Sequence, residues 1–248
     1  MPLIALLAGL GCGILLAAVT LGLLGAVLEA KAVVDGAHAV ARGAAGVLVI
    51  GALLGWGSGL PALETITGMV EQEPLGGPVL SLLLMAALAV PLRVDRSTAA
   101  DWRSSLLYVP GWMLASAALI LMVTPGRAPT GTEWVTPVRF SLAVCGGIGG
   151  RALGQALQSG LSNREALTWP GALTYGMLTF VCGAAGLVNL WQRGGLWVAS
   201  DPVLRGGMAG AWLAWTADWL MPRRRDKLGA ALTAAATLLL VLAAVKPA

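Results

Sequence analysis

Residues 2–28 read PLIALLAGLGCGILLAAVTLGLLGAVL, without a single charged side chain. A helix needs roughly 20 consecutive apolar residues to cross the hydrocarbon core of a bilayer. This run exceeds that length, and it lacks the basic n-region and short apolar centre of a signal peptide. It reads as a retained first membrane helix.

Working outward, seven further apolar runs follow at about 38–60, 77–93, 104–124, 136–158, 169–191, 205–222 and 228–246. The expected fold is therefore all-α, a polytopic transmembrane bundle of about eight helices. It falls to seven if the short run at 205–222, which carries Asp218, does not span. No hydrophilic stretch is long enough for a soluble domain, so residues 1–248 read as one integral membrane domain. Composition agrees: 57% of the chain is hydrophobic and 11% charged, against about 25% charged in an ordinary soluble domain. The formal charge of +4 comes from basic residues set between apolar runs. It points to orientation in a membrane rather than to nucleic acid.

The breaks have local causes. Asp35-Gly36 is a turn dipeptide expected between helices 1 and 2. Thr98 with Asp101, and Ser162 with Glu165, have capping-box spacing. Asp226 is placed to cap helix 8, and Pro110 to bend the start of helix 4. Segment 61–76 reads as a short interfacial helix carrying Glu64, Glu71 and Glu73.

Orientation follows the distribution of Lys and Arg. With the N-terminus outside, the inner side holds Lys31, Arg42, Arg93, Arg96, Arg103, Arg151, Arg164, Arg223, Arg224, Arg225 and Lys227. The outer side holds Arg127, Arg139, Arg193, Arg205 and Lys246. The expected location is a cell membrane, the bacterial cytoplasmic membrane. The tryptophans read as interfacial belts, with Trp56, Trp134, Trp191 and Trp197 near one face and Trp102, Trp169 and Trp219 near the other.

Few residues offer chemistry. Cys12, Cys145 and Cys182 each sit in an apolar run and form no CxxC pair, so they read as packing residues. The only histidine, His38, excludes a multi-histidine metal site within the chain and reads as structural. No metal or other cofactor is expected. Ser58 lacks a histidine in any catalytic context. Glycines one turn apart (Gly9 and Gly13; Gly51, Gly55 and Gly59; Gly146, Gly150 and Gly154; Gly206 and Gly210) are expected to let helix backbones approach closely.

Arg151 stands out. It lies in CGGIGGRALGQALQ (145–158), with Gln155 one turn later. An ionisable group at membrane depth is costly and faces a bundle interior or a wet cavity, unless it snorkels to the headgroups. Its guanidinium suits a phosphate or carboxylate. Arg139 reads as a paired interfacial charge. Asp218 reads as a partner of the PRRRDK cluster or as a buried carboxylate.

The stretch GGRALGQALQSGLSNREALTWPG (149–171) resembles the signature region of prolipoprotein diacylglyceryl transferase, a multi-helix bacterial enzyme that moves diacylglyceryl from phosphatidylglycerol to a lipoprotein cysteine. Gly150-Arg151 matches the opening of that signature. Gly154 falls one residue late, Gln155 stands where asparagine is expected, and Asn163 and Glu165 lie farther along. The His-Gly-Gly motif is missing. The resemblance implies a lipid or anion site at Arg151, Gln155, Asn163 and Glu165, and Arg139, outside the resembling stretch, is a further lipid or anion-binding candidate. Three function classes follow: a non-catalytic membrane subunit packing against other membrane proteins, a lipid-handling transferase centred on Arg151, and a small-solute transporter. The partners implied are the bilayer, other membrane subunits or phospholipid, with no role for nucleic acid.

Overall fold

The computed structural model describes residues 3–57, 77–91, 102–123, 137–158, 168–193, 202–220 and 226–245. Eight principal helices run α1 (Leu3–Val27), α2 (Lys31–Gly57), α3 (Gly77–Ala89), α4 (Val109–Val123), α5 (Pro137–Gln158), α6 (Thr168–Arg193), α7 (Pro202–Leu220) and α8 (Asp226–Val245). A one-turn helix, Trp102–Ser105, and a 3-10 turn, Leu106–Tyr108, lead into α4. Among the described residues there is no strand. The fold is an all-α helical bundle. Among the described residues, three helices are long and apolar enough to cross a membrane: Leu3–Val27, Lys31–Gly57 and Lys227–Val245. The chain is an integral membrane protein.

Side-chain size is distributed as lipid demands. The inward stripe of α1 is mostly small (Ala8, Gly11, Cys12, Ala18, Gly22), whereas Leu6, Leu10, Ile14, Leu21 and Leu24 are exposed. In a bilayer, burying a leucine away from lipid gains little, so close van der Waals contact between small residues holds helices together.

The first two helices form an antiparallel hairpin. Gly11 lies against Leu48, Gly22 against Ala37, Gly25 against Val33, and Gly51 against Leu7. Their turn is not at Asp35-Gly36, which lie inside α2. It falls at Leu28–Ala30, closed by Ala30 N–H donating to Gly25 O at 2.8 Å and Glu29 N–H donating to Ala26 O at 3.3 Å. This is a Schellman end, in which the residue after the cap takes a left-handed conformation usually reserved for glycine. Here Glu29 takes it, with φ 54°. The open notch of Gly25 against Val33 and Val34 lets α2 begin at Lys31, so Asp35-Gly36 is absorbed into helix. The last two helices pair likewise. Gly207 packs on Ala243, Gly210 on Leu239, and Asp218 on Gly229.

Between these hairpins lie α3 and α5. The sequence expectation for α3, a span over 77–93, is corrected: the helix has 13 residues and ends at Ala89. At 1.5 Å per residue it is about 20 Å long, short of the roughly 30 Å core. Pro91 explains the stop, because the residue before a proline is driven out of helical geometry. Every residue from Val79 to Ala87 is buried, as expected of a helix apolar all round and surrounded by protein. Helices α2, α4, α5 and α8 surround it.

On α5 the glycines accept this central helix. Gly146 meets Met85, Gly147 meets Leu88, and Gly150 meets Ala89 and Pro110. Gly154 lies so close to Leu107 that a β-carbon there would fall 2.6 Å from its carbonyl oxygen. Gly55 of α2 receives Leu80 in the same way. Six hydroxyls are satisfied within their own helices: Thr20, Ser116, Thr174, Thr179, Thr216 and Thr237 each donate to the carbonyl four residues earlier, the usual local solution for a hydroxyl in a helix.

Candidate functional site

Among the described residues, two places in the interior hold buried polar side-chain atoms that point to a site. The first is built from the end of α3. A helix leaves its last carbonyls without intrahelical donors. Val90 N–H donates back to Ala87 O at 3.3 Å, while the carbonyls of Leu88 and Val90 need donors from elsewhere. Arg151, on α5, supplies them: one terminal nitrogen donates to Leu88 O at 2.8 Å and to Val90 O at 2.9 Å. A cation at a helix C-terminus also meets the negative end of the helix dipole. The missing side chains at Gly147 and Gly150 allow α5 to stand close enough for this reach.

Arg151 thus neither snorkels nor stands free; it caps a buried helix. The guanidinium is not exhausted. Arg151 Nε is buried without a hydrogen-bond partner, and so is Gln155 Oε1 one turn later.

Of the remaining sequence candidates, Arg139 and Asp218 fall among the described residues. Arg139 is buried on α5 and engaged with other groups. Twelve residues separate it from Arg151, about 18 Å along a helix. Asp218 is half-buried on α7, and its Oδ1 occupies the space over Gly229 of α8. Asn163 and Glu165 lie outside the described residues, as do Ser162, Thr98, Asp101 and the 61–76 segment. Trp56 is packed edge-on to Phe140 at 5.4 Å and is buried rather than facing lipid, whereas Trp191 and Trp219 are exposed. Tyr175 of α6 stacks against Trp212 and Trp219 of α7 at 6.3 and 6.0 Å. All three cysteines are free, with Cys12 and Cys145 buried.

The second polar place was not foreseen in the sequence. His38 of α2, with Ser105 and Tyr108 of the segment leading into α4, lines a small recess closed by Ala18, Val19 and Gly22 of α1 and by Ala37 and Ala41 of α2. The rings of His38 and Tyr108 stack at 5.0 Å with an interplanar angle of 26°. His38 Nε2, Ser105 Oγ and Tyr108 OH are all buried without a hydrogen-bond partner. A signal was present: the chain holds one histidine and two tyrosines, and helical spacing puts Ser105 and Tyr108 on one face. Nothing local revealed that His38, about 70 residues earlier, would join them.

Among the described residues no group of three or more His, Cys, Asp or Glu side chains is placed to hold a metal ion. Comparison of the chain with known protein families, with characterised proteins and with solved structures finds no match.

Proposed function

We propose that the chain is a non-catalytic subunit of a larger membrane assembly, docking through the outward face of α2. The observation that carries this reading is a ridge of small residues with nothing from the described residues over it. Gly36, Gly43 and Gly46 have no neighbouring atom within 4 Å of a would-be β-carbon. Ala32 and Ala39 are exposed beside them. Ala32 with Gly36, and Ala39 with Gly43, have the small-xxx-small spacing at which membrane helices meet most closely. The glycines of α5 and Gly51 and Gly55 of α2 serve packing inside the chain, whereas Gly36, Gly43 and Gly46 leave a smooth strip facing outward. In this reading the N-terminus lies outside and the turn between α1 and α2 lies at the inner face, following the excess of basic residues there.

The test is purification in mild detergent, with cross-linking from a cysteine placed at position 39, exposed on the same strip, in every chain compared. A Gly36→Leu/Gly43→Leu double variant is expected to lose both the assembly and the cross-link while keeping its helical content. A wild-type chain that runs as a monomer and forms no cross-link in native membranes would sink the reading.

One observation favours a second reading, a lipid-handling transferase resembling prolipoprotein diacylglyceryl transferase. Arg151 Nε and Gln155 Oε1 are unpartnered one turn apart, a pair suited to a lipid headgroup oxygen and a hydroxyl. Gln155→Leu, which spares the cap on α3, is expected to abolish lipid transfer under this reading; transfer unchanged in that variant removes it. The short α3, ending inside protein, is the feature that favours a small-solute transporter, for which uptake into proteoliposomes is the measurement.

A further inference from the structure

The recess between α1, α2 and the lead-in to α4 gathers three buried polar atoms without a hydrogen-bond partner. Its three polar side chains are more than nine-tenths buried: His38 is 5% exposed, and Ser105 and Tyr108 are each 2% exposed. They come from two separate parts of the chain, and His38 Nε2, Ser105 Oγ and Tyr108 OH have no hydrogen-bond partner among the described residues. Buried polar groups in native proteins nearly always find a partner. Six other hydroxyls, among them the buried Thr174 and Thr237, solve the problem by bonding back four residues. Ser105 does not, and as the residue before the 3-10 turn it makes no capping bond with its side chain either.

We propose that His38 Nε2, Ser105 Oγ and Tyr108 OH together hold one buried water molecule. The size fits. The recess offers about 10 Å3 to the centre of a water-sized sphere, roughly the minimum for a single water and too little for a headgroup or solute. Its chemistry fits as well. A buried water makes about three hydrogen bonds to otherwise unsatisfied groups, and three such groups line this site. Hydroxyls both donate and accept, and a neutral imidazole nitrogen does one or the other, so a water with two donors and two acceptors satisfies all three at once. The remaining wall is apolar, formed by Ala18, Val19, Gly22, Ala37 and Ala41. One nitrogen and two neutral hydroxyls form a poor set for a metal ion. The stack on Tyr108 fixes the imidazole plane, and Gly22 keeps the space over Ser105 open, since a β-carbon there would stand 3.8 Å from Ser105 Oγ.

The consequence is a hydrated joint between the α1–α2 hairpin and the rest of the bundle, bridging chain segments that share no direct side-chain hydrogen bond at this point.

The chain supplies its own probe, because His38 is the only histidine. The full chain, labelled with 15N in the histidine ring, is reconstituted in nanodiscs of phosphatidylcholine and phosphatidylglycerol and read by water-edited solid-state NMR. Polarisation is expected to pass from water to Nε2. Ser105→Ala and Tyr108→Phe are each expected to shift the ring resonance, because each removes one of the water's anchors. Gly22→Val, which fills the recess, is expected to lose the water transfer. No transfer to Nε2 in the wild-type chain overturns the proposal. A ring resonance unmoved by both Ser105→Ala and Tyr108→Phe also overturns it, and these two variants suffice even where Gly22→Val fails to fold.

Discussion

Arg151 and His38 are both polar side chains set among apolar helices, yet the fold treats them in opposite ways. Arg151 reaches across to a backbone that needs donors, and its two bonds at 2.8 and 2.9 Å close the end of α3. His38 sits with Ser105 and Tyr108 in a recess where three polar atoms face inward and none meets another protein group. The first is a protein–protein solution to an unsatisfied backbone. The second leaves its polar atoms for something outside the chain. An ionisable residue at membrane depth is therefore not by itself a site. What distinguishes a site is whether the neighbouring protein already uses the polar atoms.

That contrast breaks most readily at Arg151. Replacing it with leucine strands the Leu88 and Val90 carbonyls inside protein, and the expected loss is about 3 kcal/mol, from two bonds to a charged donor. Unfolding in mixed detergent micelles measures it. Arg151→Lys keeps the charge without the planar fork and is expected to recover part of that stability. A leucine variant as stable as the parent would show that the cap contributes nothing.

Next in size is Gly154→Ala. Its new β-carbon would meet the Leu107 carbonyl at 2.6 Å, and overpacking of this kind costs about 1–3 kcal/mol. The same change at Gly176 or Gly183 of α6, where nothing lies within 4 Å, is expected to be neutral or slightly stabilising, because alanine is the better helix former. Equal effects at the two places would mean that α5 is not held as closely as Arg151 requires.

A smaller effect sharpens the other side of the contrast. Tyr108→Phe deletes only a hydroxyl. If a water is bound there, the loss is about 0.5–1.5 kcal/mol, the net value of one hydrogen bond. If the recess is dry, removing an unsatisfied polar atom leaves stability unchanged or raises it. The sign, read from the same unfolding curves, decides. The smallest change is expected at Gly43→Leu, within about 0.5 kcal/mol for an outward position. Its effect belongs to assembly and is read by cross-linking.

Much of the architecture was legible in the sequence, because apolar length is a local property. The eight runs lie where the eight helices lie, and 2–28 differs from Leu3–Val27 only at its ends. The errors arose where a distant partner overrode a local signal. Asp35-Gly36 reads as a turn, but Gly25 lets Val33 and Val34 close in, and Glu29 accepts the left-handed geometry instead. Arg151 was legible as an unusual residue, but its partners at positions 88 and 90 were not. They become acceptors only because Pro91 stops a helix some 60 residues earlier. The recess was the least legible feature, since it depends on the crossing of three segments.

The cap on α3 also sets an order of events. Leu88 and Val90 leave the ribosome long before their donor, which lies 63 and 61 positions downstream. Helix α3 is too short to span the core alone, and its terminal carbonyls lack these hydrogen bonds until α5 has been synthesised and packed beside it. The α1–α2 hairpin, whose turn is closed by its own backbone, has no such dependence. The chain thus carries a turn that closes as soon as it is made and a helix end that must wait, and the length of that wait is written in the distance between Pro91 and Arg151.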